Sequence, residues 1–211
     1  MMERLYVAYG SNMNKMQMGQ RCPNAKALGK GTLNGYTLEF RGRKGSGVAT
    51  IIKDKNTSIP VVLWSITDDC ERALDVYEGF PHLYYKKDVN VEFEGKSVKA
   101  MVYIMAKQYE RKEMSARPSS YYFQVIKEGY DDFGIETSTI DKALERACNS
   151  NSIPAKVIDE IKLVAETGIT NMFDTPAVRE LAKELGYRKL ATFLENKDNQ
   201  KSYWNFILYG D

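Results

Sequence analysis

The order of apolar and polar positions divides the chain into a strand-rich first part and a helical second part. Up to about residue 110, short runs of β-branched and aromatic residues alternate with glycine, asparagine and aspartate, which is typical of strands joined by tight turns. Strands are predicted over residues 5–9, 36–41, 48–52, 61–66, 86–93 and 97–105, and Glu94-Gly95 predicts a hairpin turn between the last two.

Two short helices interrupt these strands. One is predicted over residues 12–19, with Met13, Met16 and Met18 on the face that packs into the core. The other begins at residue 67 or 68, where a hydroxyl or a carboxylate can cap the first turn, and it ends at Gly79.

Beyond residue 118 the spacing is helical. A helix is predicted over residues 121–129, and residues 131–152 are polar enough to hold a short helix and a linker. Amphipathic helices follow over residues 157–165 and 175–185, each ended by a glycine, and two more are predicted over residues 187–195 and 200–208. We therefore predict a domain over residues 1–140, a linker over residues 141–153 and a small all-α domain over residues 154–211.

Composition and charge narrow the class of protein. Thirty lysine and arginine residues against 28 aspartate and glutamate residues leave a formal charge of +2, too small for the field that attracts nucleic acid, so we do not expect nucleic-acid binding. The longest apolar runs fall far short of the roughly 20 residues that a membrane-spanning helix needs, and the N-terminus does not have the pattern of a secretory signal. The three cysteines have neither metal-ligand spacing nor a disulfide pattern, which predicts reduced thiols and a cytoplasmic location.

The first segment with candidate chemistry is Tyr9-Gly10-Ser11-Asn12, where a strand runs into a glycine turn and a short helix. Such a turn presents backbone N–H groups, a hydroxyl and an amide at one place, which suits a carboxylate or an oxyanion. The same residues are also compatible with an ordinary capped turn.

The second segment ends the helix before Gly79 and carries Asp75 and Glu78. A carboxylate at a helix C-terminus is disfavoured by the helix dipole, and a carboxylate whose charged form is disfavoured has a raised pKa. Glu78 is therefore a candidate general acid or base near neutral pH, and a solvated surface glutamate is the alternative.

Together these segments resemble the gamma-glutamylcyclotransferase family, also called AIG2-like. Its members open with a strand followed by Tyr-Gly-Ser-Asn and carry a catalytic glutamate in a Leu-Asp-x-x-Glu-Gly segment. Residues 47–51, residues 61–64 and the region that begins at Pro118, with Tyr122 four residues later, resemble further family segments in the same order. The resemblance covers roughly residues 4–135.

The resemblance implies an α+β fold, with a gamma-glutamylcyclotransferase-like small mixed β-barrel and flanking helices, to which the small all-α C-terminal domain is added. It implies that the α-amine of a small γ-glutamyl compound attacks its own γ-carbonyl and releases 5-oxoproline with an amine or amino acid. Since a tethered ring closure needs only positioning and proton transfer, neither a cofactor nor a metal is expected. The implied site residues are Glu78 as general acid/base and, for substrate binding, Tyr9, Gly10, Ser11, Asn12 and Tyr122.

A second hypothesis is a non-catalytic module that keeps the pocket to bind a small ligand or a protein, with the helical tail as its adaptor. The intact Glu78 favours the enzyme. His82 is interpreted as a structural or rim residue, because the partners of a nucleophilic triad are missing. Residues 41–47 are interpreted as a flexible basic hairpin loop near the pocket mouth rather than a phosphate-binding loop.

The C-terminal region resembles a small helical domain of unknown function found in phage and bacterial proteins. This resemblance rests on residues 166–174 and the helices after them, and it implies no chemistry. The aromatic and apolar residues within 203–208 predict a protein contact, with a second copy of the chain or with another protein.

Overall fold

The computed structural model describes residues 3–43, 45–109, 115–149 and 153–209. The chain folds into two compact units, residues 1–150 and residues 151–211. Each unit has a hydrophobic core of its own.

The first unit is built on a closed β-barrel with the strand order β1-β3-β2-β4-β5. β1 pairs antiparallel with β3 and parallel with β5, so the barrel is mixed. The predicted small mixed β-barrel is thereby confirmed. The strands are β1 (Arg4–Ala8), β2 (Lys26–Arg43), β3 (Ser46–Ile66), β4 (Tyr84–Phe93) and β5 (Lys96–Met105).

β2 and β3 are much longer than the predicted strands. Two features of the sequence explain why shorter strands were predicted. Residues 53–58 are polar and largely exposed, and the pairing with β2 passes from residue 53 to residue 58 over the four residues between them. At Gly35, which has a φ of 78°, the pairing register shifts between Asn34 and Tyr36. A glycine at positive φ lets the strand bend there without steric strain, and in the sequence it indicated a strand end.

Helices flank the barrel. A 3₁₀ turn over Ser11–Met13 leads into α1 (Lys15–Arg21), and α2 (Asp68–Glu78), α3 (Ser120–Asp132) and α4 (Ser138–Asn149) follow along the chain. The predicted ends of α2 are confirmed: the Thr67 hydroxyl accepts a hydrogen bond from the Cys70 N–H at 3.3 Å, and Gly79 adopts the left-handed conformation.

The methionine prediction is correct for two of three side chains. Met13 and Met18 are fully buried in the core of the first unit, whereas Met16 is exposed. The reason is that Met13 belongs to the 3₁₀ turn and not to the helix, so a single helical period does not describe all three positions.

The linker predicted over residues 141–153 is corrected by the structure, because residues 141–149 belong to α4. Ile140, Ala143 and Ala147 form one buried face of α4 within the core of the first unit, and Arg146 donates a hydrogen bond to the Leu38 carbonyl at 2.7 Å. Two of these buried residues are alanines, so the sequence gives only a weak signal for the apolar face of α4. The division between the units lies at residues 150 and 151.

The second unit is all-α, as predicted. Its helices are α5 (Ala155–Thr167), α6 (Thr175–Glu184), α7 (Arg188–Glu195) and α8 (Gln200–Tyr209). Tyr203 is fully buried in the core of this unit and donates a hydrogen bond to the Met172 carbonyl at 2.8 Å. Trp204 and Leu208 are exposed, and the contact predicted for them with a partner stays a prediction. Among the described residues, no helix has the length and apolar character that a membrane crossing requires.

We predict that residues 1–150 fold without the second unit, because their core is formed entirely by their own side chains. The measurement is a comparison of the full chain and residues 1–150 by thermal unfolding and by amide NMR spectra. Matching resonances in the first unit are expected, whereas an insoluble fragment would show that the division is misplaced.

Candidate active site

A cavity of about 220 Å³ opens at one end of the barrel, between the turn after β1 and the end of α2. Its wall includes every site residue predicted from the sequence, although these residues come from three separate segments. The predicted residues on the wall are Tyr9, Gly10, Ser11, Asn12, Glu78 and Tyr122.

The turn after β1 is shaped by a close approach of neighbouring elements. A Cβ on Gly10 would lie 3.2 Å from the Ala49 Cβ on β3 and 3.6 Å from the Tyr122 hydroxyl on α3. The φ of Gly10 is −121°, so a left-handed conformation is not the reason for glycine here. Ser11 and Asn12 follow it as buried polar residues whose side chains need partners inside the protein.

α3 supports this turn from behind. The Asn14 side chain caps α1 by accepting from the Gln17 N–H at 3.0 Å, and its amide donates to the Val125 carbonyl at 3.2 Å and to Glu128 at 3.1 Å. Gly129 of α3 lies directly against the backbone of the turn. The turn is therefore fixed from two sides, by its own helix cap and by α3.

Glu78 is the last residue of α2 and points into the cavity. The Asn12 side-chain amide donates one hydrogen bond to Glu78 Oε1 at 2.9 Å and another to the Tyr6 hydroxyl at 2.8 Å. Burial raises the pKa of Glu78 to about 7, and the charge of Arg21 and the hydrogen bond from Asn12 offset part of that rise. A carboxyl with this pKa can both accept and donate a proton near neutral pH.

The second carboxylate of the segment has a different role. Asp75 accepts a hydrogen bond from the Tyr103 hydroxyl at 2.6 Å and pairs with Lys86 at 2.8 Å. These contacts attach α2 to β4 and β5, and Asp75 does not line the cavity. Of the two carboxylates, only Glu78 faces the cavity.

Tyrosines form much of the remaining wall. The Tyr122 hydroxyl accepts from the Ala49 N–H at 3.2 Å, and the Tyr84 hydroxyl donates to the Ala49 carbonyl at 2.7 Å. Burial raises the pKa of both phenols, so they stay neutral at physiological pH. Sequence reasoning missed the wall residues Tyr6, Tyr77, Tyr84 and Tyr103, because aromatic residues in strands and at a helix end are also ordinary core residues.

Arg21 was also missed. Its guanidinium donates to Asn12 Oδ1 at 2.5 Å, to Ser11 Oγ at 3.2 Å and to the Tyr77 hydroxyl at 2.7 Å, and it lies 3.7 Å above the Tyr77 ring. In the sequence, an arginine in the last turn of a helix is explained by the helix dipole alone. Its partners come from distant segments, and no local pattern indicates them.

Two further expectations concern the surroundings of the cavity. His82 is exposed and does not line the cavity, in keeping with a residue that has no catalytic duty. The flexible basic loop predicted over residues 41–47 is corrected at both ends, because residues 41–43 belong to β2 and residues 46–47 to β3. Arg41 is buried and pairs with Glu39 at 2.6 Å. Lys44 of the same segment lies outside the described residues. Within the described ranges, no group of three or more histidine, cysteine, aspartate and glutamate side chains is placed to hold a metal ion.

Comparison with known families finds two matches that together cover most of the chain. The family model described as gamma-glutamyl cyclotransferase, AIG2-like, matches residues 6–124. A model described as a domain of unknown function (DUF5049) matches residues 154–211, a range that contains helices α5 to α8 of the second unit.

Individual relatives agree with the first match. The gamma-glutamylcyclotransferase of Homo sapiens is 29% identical over 175 residues, which are 79% of this chain and 89% of that protein. The gamma-glutamylcyclotransferase of Mus musculus is 28% identical over 173 residues, which are 78% and 88% of the two chains. A solved structure of a gamma-glutamyl cyclotransferase superposes with a TM-score of 0.58 at 26% identity, covering 72% of this chain and 89% of that one.

We predict that Gly129→Ala destabilises the first unit by about 1–3 kcal/mol, the usual effect of overpacking. The added Cβ would lie 2.6 Å from the Asn14 nitrogen and 2.8 Å from the Met13 carbonyl carbon, which are backbone atoms that cannot rotate away. Urea unfolding measures the change. Gly19→Ala on α1 is the matched control, since no atom outside its own helical backbone and chain neighbours lies within 4 Å of its added Cβ. Equal stabilities of the two variants would contradict the close approach.

We also predict that Glu78→Gln stabilises the protein above neutral pH. Because the pKa of Glu78 is about 7 in the folded protein against an ordinary 4.5, the native state binds more protons than the unfolded state between these values. The free energy of unfolding of the wild type therefore falls as pH rises from about 4.5 to 7. The glutamine variant does not lose this stability, because its side chain does not titrate. The difference should grow with pH to at most about 3 kcal/mol.

Urea unfolding of both proteins at several pH values from 4.5 to 8.5 measures this difference. Asp69→Asn, which removes a largely exposed carboxylate of α2, is the control and should show no such trend. A pH-independent difference for Glu78→Gln would mean that the pKa of Glu78 is not raised.

Proposed function

Because the chain belongs to the gamma-glutamyl cyclotransferase, AIG2-like family, as its motifs predict, we propose that it cyclises a small γ-glutamyl compound and releases 5-oxoproline. The observation that carries the proposal is the placement of Glu78. This carboxyl has a pKa of about 7, points into a small cavity and faces the turn that can hold the substrate. The co-product is the amine or amino acid that was joined to the γ-carboxyl group.

The proposed reaction exchanges one amide bond for another within a single molecule. Glu78 accepts a proton from the α-ammonium of the γ-glutamyl group, and the freed amine attacks the γ-carbonyl carbon. A carbon–nitrogen bond forms in the five-membered ring, and the bond to the leaving nitrogen breaks as Glu78 returns a proton to that nitrogen. The ring nitrogen gives up its second proton to become the lactam N–H, and the released amine takes up this proton as an ammonium ion. Electrons and atoms balance without water, metal or redox cofactor, and tethering of the reactants supplies much of the rate enhancement.

The turn after β1 is proposed to bind the negative parts of the substrate. The N–H groups of Ser11 and Asn12 begin a 3₁₀ turn and therefore have no acceptor within it. They are suited to the substrate carboxylate or to the oxyanion that develops on the γ-carbonyl oxygen. The neutral phenols of Tyr9 and Tyr122 provide further polar contacts on the wall.

The size of the cavity supports a small substrate. Its volume of about 220 Å³ is below the range of roughly 300–1,000 Å³ that is usual for pockets holding drug-sized ligands. A γ-glutamyl group with a compact leaving group is in keeping with this size, whereas a γ-glutamyl unit within a folded protein is not.

The activity is tested by incubating the full chain with a panel of γ-glutamyl amines and γ-glutamyl amino acids and by measuring 5-oxoproline with mass spectrometry. Release from at least one compound is expected. Binding of a γ-glutamyl compound without release of 5-oxoproline would instead favour a non-catalytic binding module.

We predict that Glu78→Gln lowers turnover by about 10²–10⁴-fold, because the change keeps the side-chain volume and removes the group that moves the proton. Substrate affinity should change little, which isothermal calorimetry can measure. Asp69→Asn, on an exposed position of the same helix, should retain full turnover. Turnover of the glutamine variant within a few-fold of wild type would disprove the role of Glu78.

A further inference from the structure

Arg21 lies next to the candidate site and contacts two of the segments that form it, the turn after β1 and the end of α2. It does not line the cavity. Its guanidinium nevertheless holds the side chains of Ser11 and Asn12 on the turn and the hydroxyl of Tyr77 at the end of α2. No other described side chain is recorded in contact with all three.

The chemistry of these contacts determines how the Asn12 amide is oriented. A guanidinium has donors and no acceptor, so the Asn12 atom that faces it must be the carbonyl oxygen. The NH₂ group of Asn12 is then directed to Glu78 and to the Tyr6 hydroxyl, which use both of its hydrogens. With the amide reversed, an oxygen would face Glu78 Oε1, and only a protonated Glu78 could pair with it.

We propose that Arg21 is a positioning residue that holds the Asn12 amide with its NH₂ group toward Glu78, and so keeps Glu78 in the form that can accept a proton. This inference rests on the proposed role of Glu78 as the base. Arg21 acts through Asn12 and through its charge, without touching the substrate.

The groups around Glu78 explain why one arginine has this influence. The phenols that face Glu78 are neutral near pH 7, because burial raises their pKa. Arg21 is then the charged group that favours the carboxylate among the described residues around it. The titratable groups facing Glu78 are Arg21 from α1, Tyr6 from β1, Tyr9 from the turn, Tyr84 from β4 and Tyr122 from α3.

Lysine is not equivalent to arginine at this position. The planar guanidinium reaches Asn12, Ser11 and Tyr77 together and stacks on the Tyr77 ring. A lysine ammonium is a compact point charge, which can contact Asn12 but cannot also form the contacts with Ser11 and Tyr77. Arg21→Lys should therefore keep the positive charge but hold the Asn12 amide less firmly in its orientation.

The experiment titrates Glu78 directly, so it does not depend on turnover. The infrared carboxyl and carboxylate bands of Glu78 are isolated by subtracting the spectrum of the corresponding Glu78→Gln protein at each pH. We expect a midpoint near pH 7 in wild type and an upward shift of about one pH unit or more in Arg21→Met, since the charge of Arg21 lowers the pKa of Glu78 and a neighbouring opposite charge typically lowers a carboxyl pKa by about 1–3 units. The Glu78 midpoint of Arg21→Lys should lie between those of wild type and Arg21→Met.

Arg72→Met is the matched control, because Arg72 lies on an exposed part of α2 and pairs with Asp69. It removes the same charge from the protein and should leave the Glu78 midpoint unchanged. If Arg21→Met does not fold, Arg21→Gln replaces it; glutamine keeps a donor for Asn12 without the charge, so a smaller upward shift is expected. An unmoved midpoint in the folded variant overturns the proposal.

Turnover supplies a second readout. A one-unit shift should lower kcat/KM about fivefold at pH 7 and leave it near the wild-type value at high pH. An equal loss at every pH would indicate a merely structural role and would overturn the proposal. If wild type releases no 5-oxoproline from any compound, the proposed function fails, while the infrared titration still decides whether Arg21 controls Glu78.

Discussion

The hydrogen bond from the Asn12 amide to the Glu78 carboxylate is the contact on which the candidate site depends. It joins the turn after the first strand to the end of α2, which are 66 residues apart in the sequence. Each side is anchored separately. The turn is held against α3 by the Asn14 side chain and by the close approach of Gly129, and α2 is held by the hydrogen bond from the Tyr103 hydroxyl to Asp75. These anchors hold the turn and the helix end where the amide can meet the carboxylate. Burial can then raise the pKa of Glu78 without leaving its charge unsupported.

The elements that the sequence predicted well are those whose cause is local. The ends of α2 follow from a capping threonine and a glycine that adopts positive φ. The turn Glu94-Gly95 has positive φ at both residues, as a type I′ turn of a two-residue hairpin requires. The predicted site residues share this property. They lie in short contiguous segments, so a motif can represent them, and the structure brings the segments to one cavity.

The elements that the sequence did not predict depend on contacts between distant segments. Arg21 interacts with residues from two segments, and its own neighbours along the chain give no sign of this. α4 packs through buried alanines, and whether an alanine is buried depends on how closely the barrel approaches the helix, which the local sequence does not indicate. β3 likewise pairs with β2 on both sides of the polar residues 54–57, which the register passes over, so the extent of the strand is decided by its partner and not by its own sequence.

The position of β1 in the barrel has a consequence for the synthesis of the protein. β1 is the first strand of the chain, but its parallel partners, Met101 and Val102, are translated almost a hundred residues later. Tyr122 and Gly129, which touch the turn after β1, are translated later still. Such non-local pairing has to wait for the downstream segments. A nascent chain that has not reached Tyr122 therefore lacks part of the cavity wall. A ligand meets the finished pocket only when nearly the whole first unit has left the ribosome.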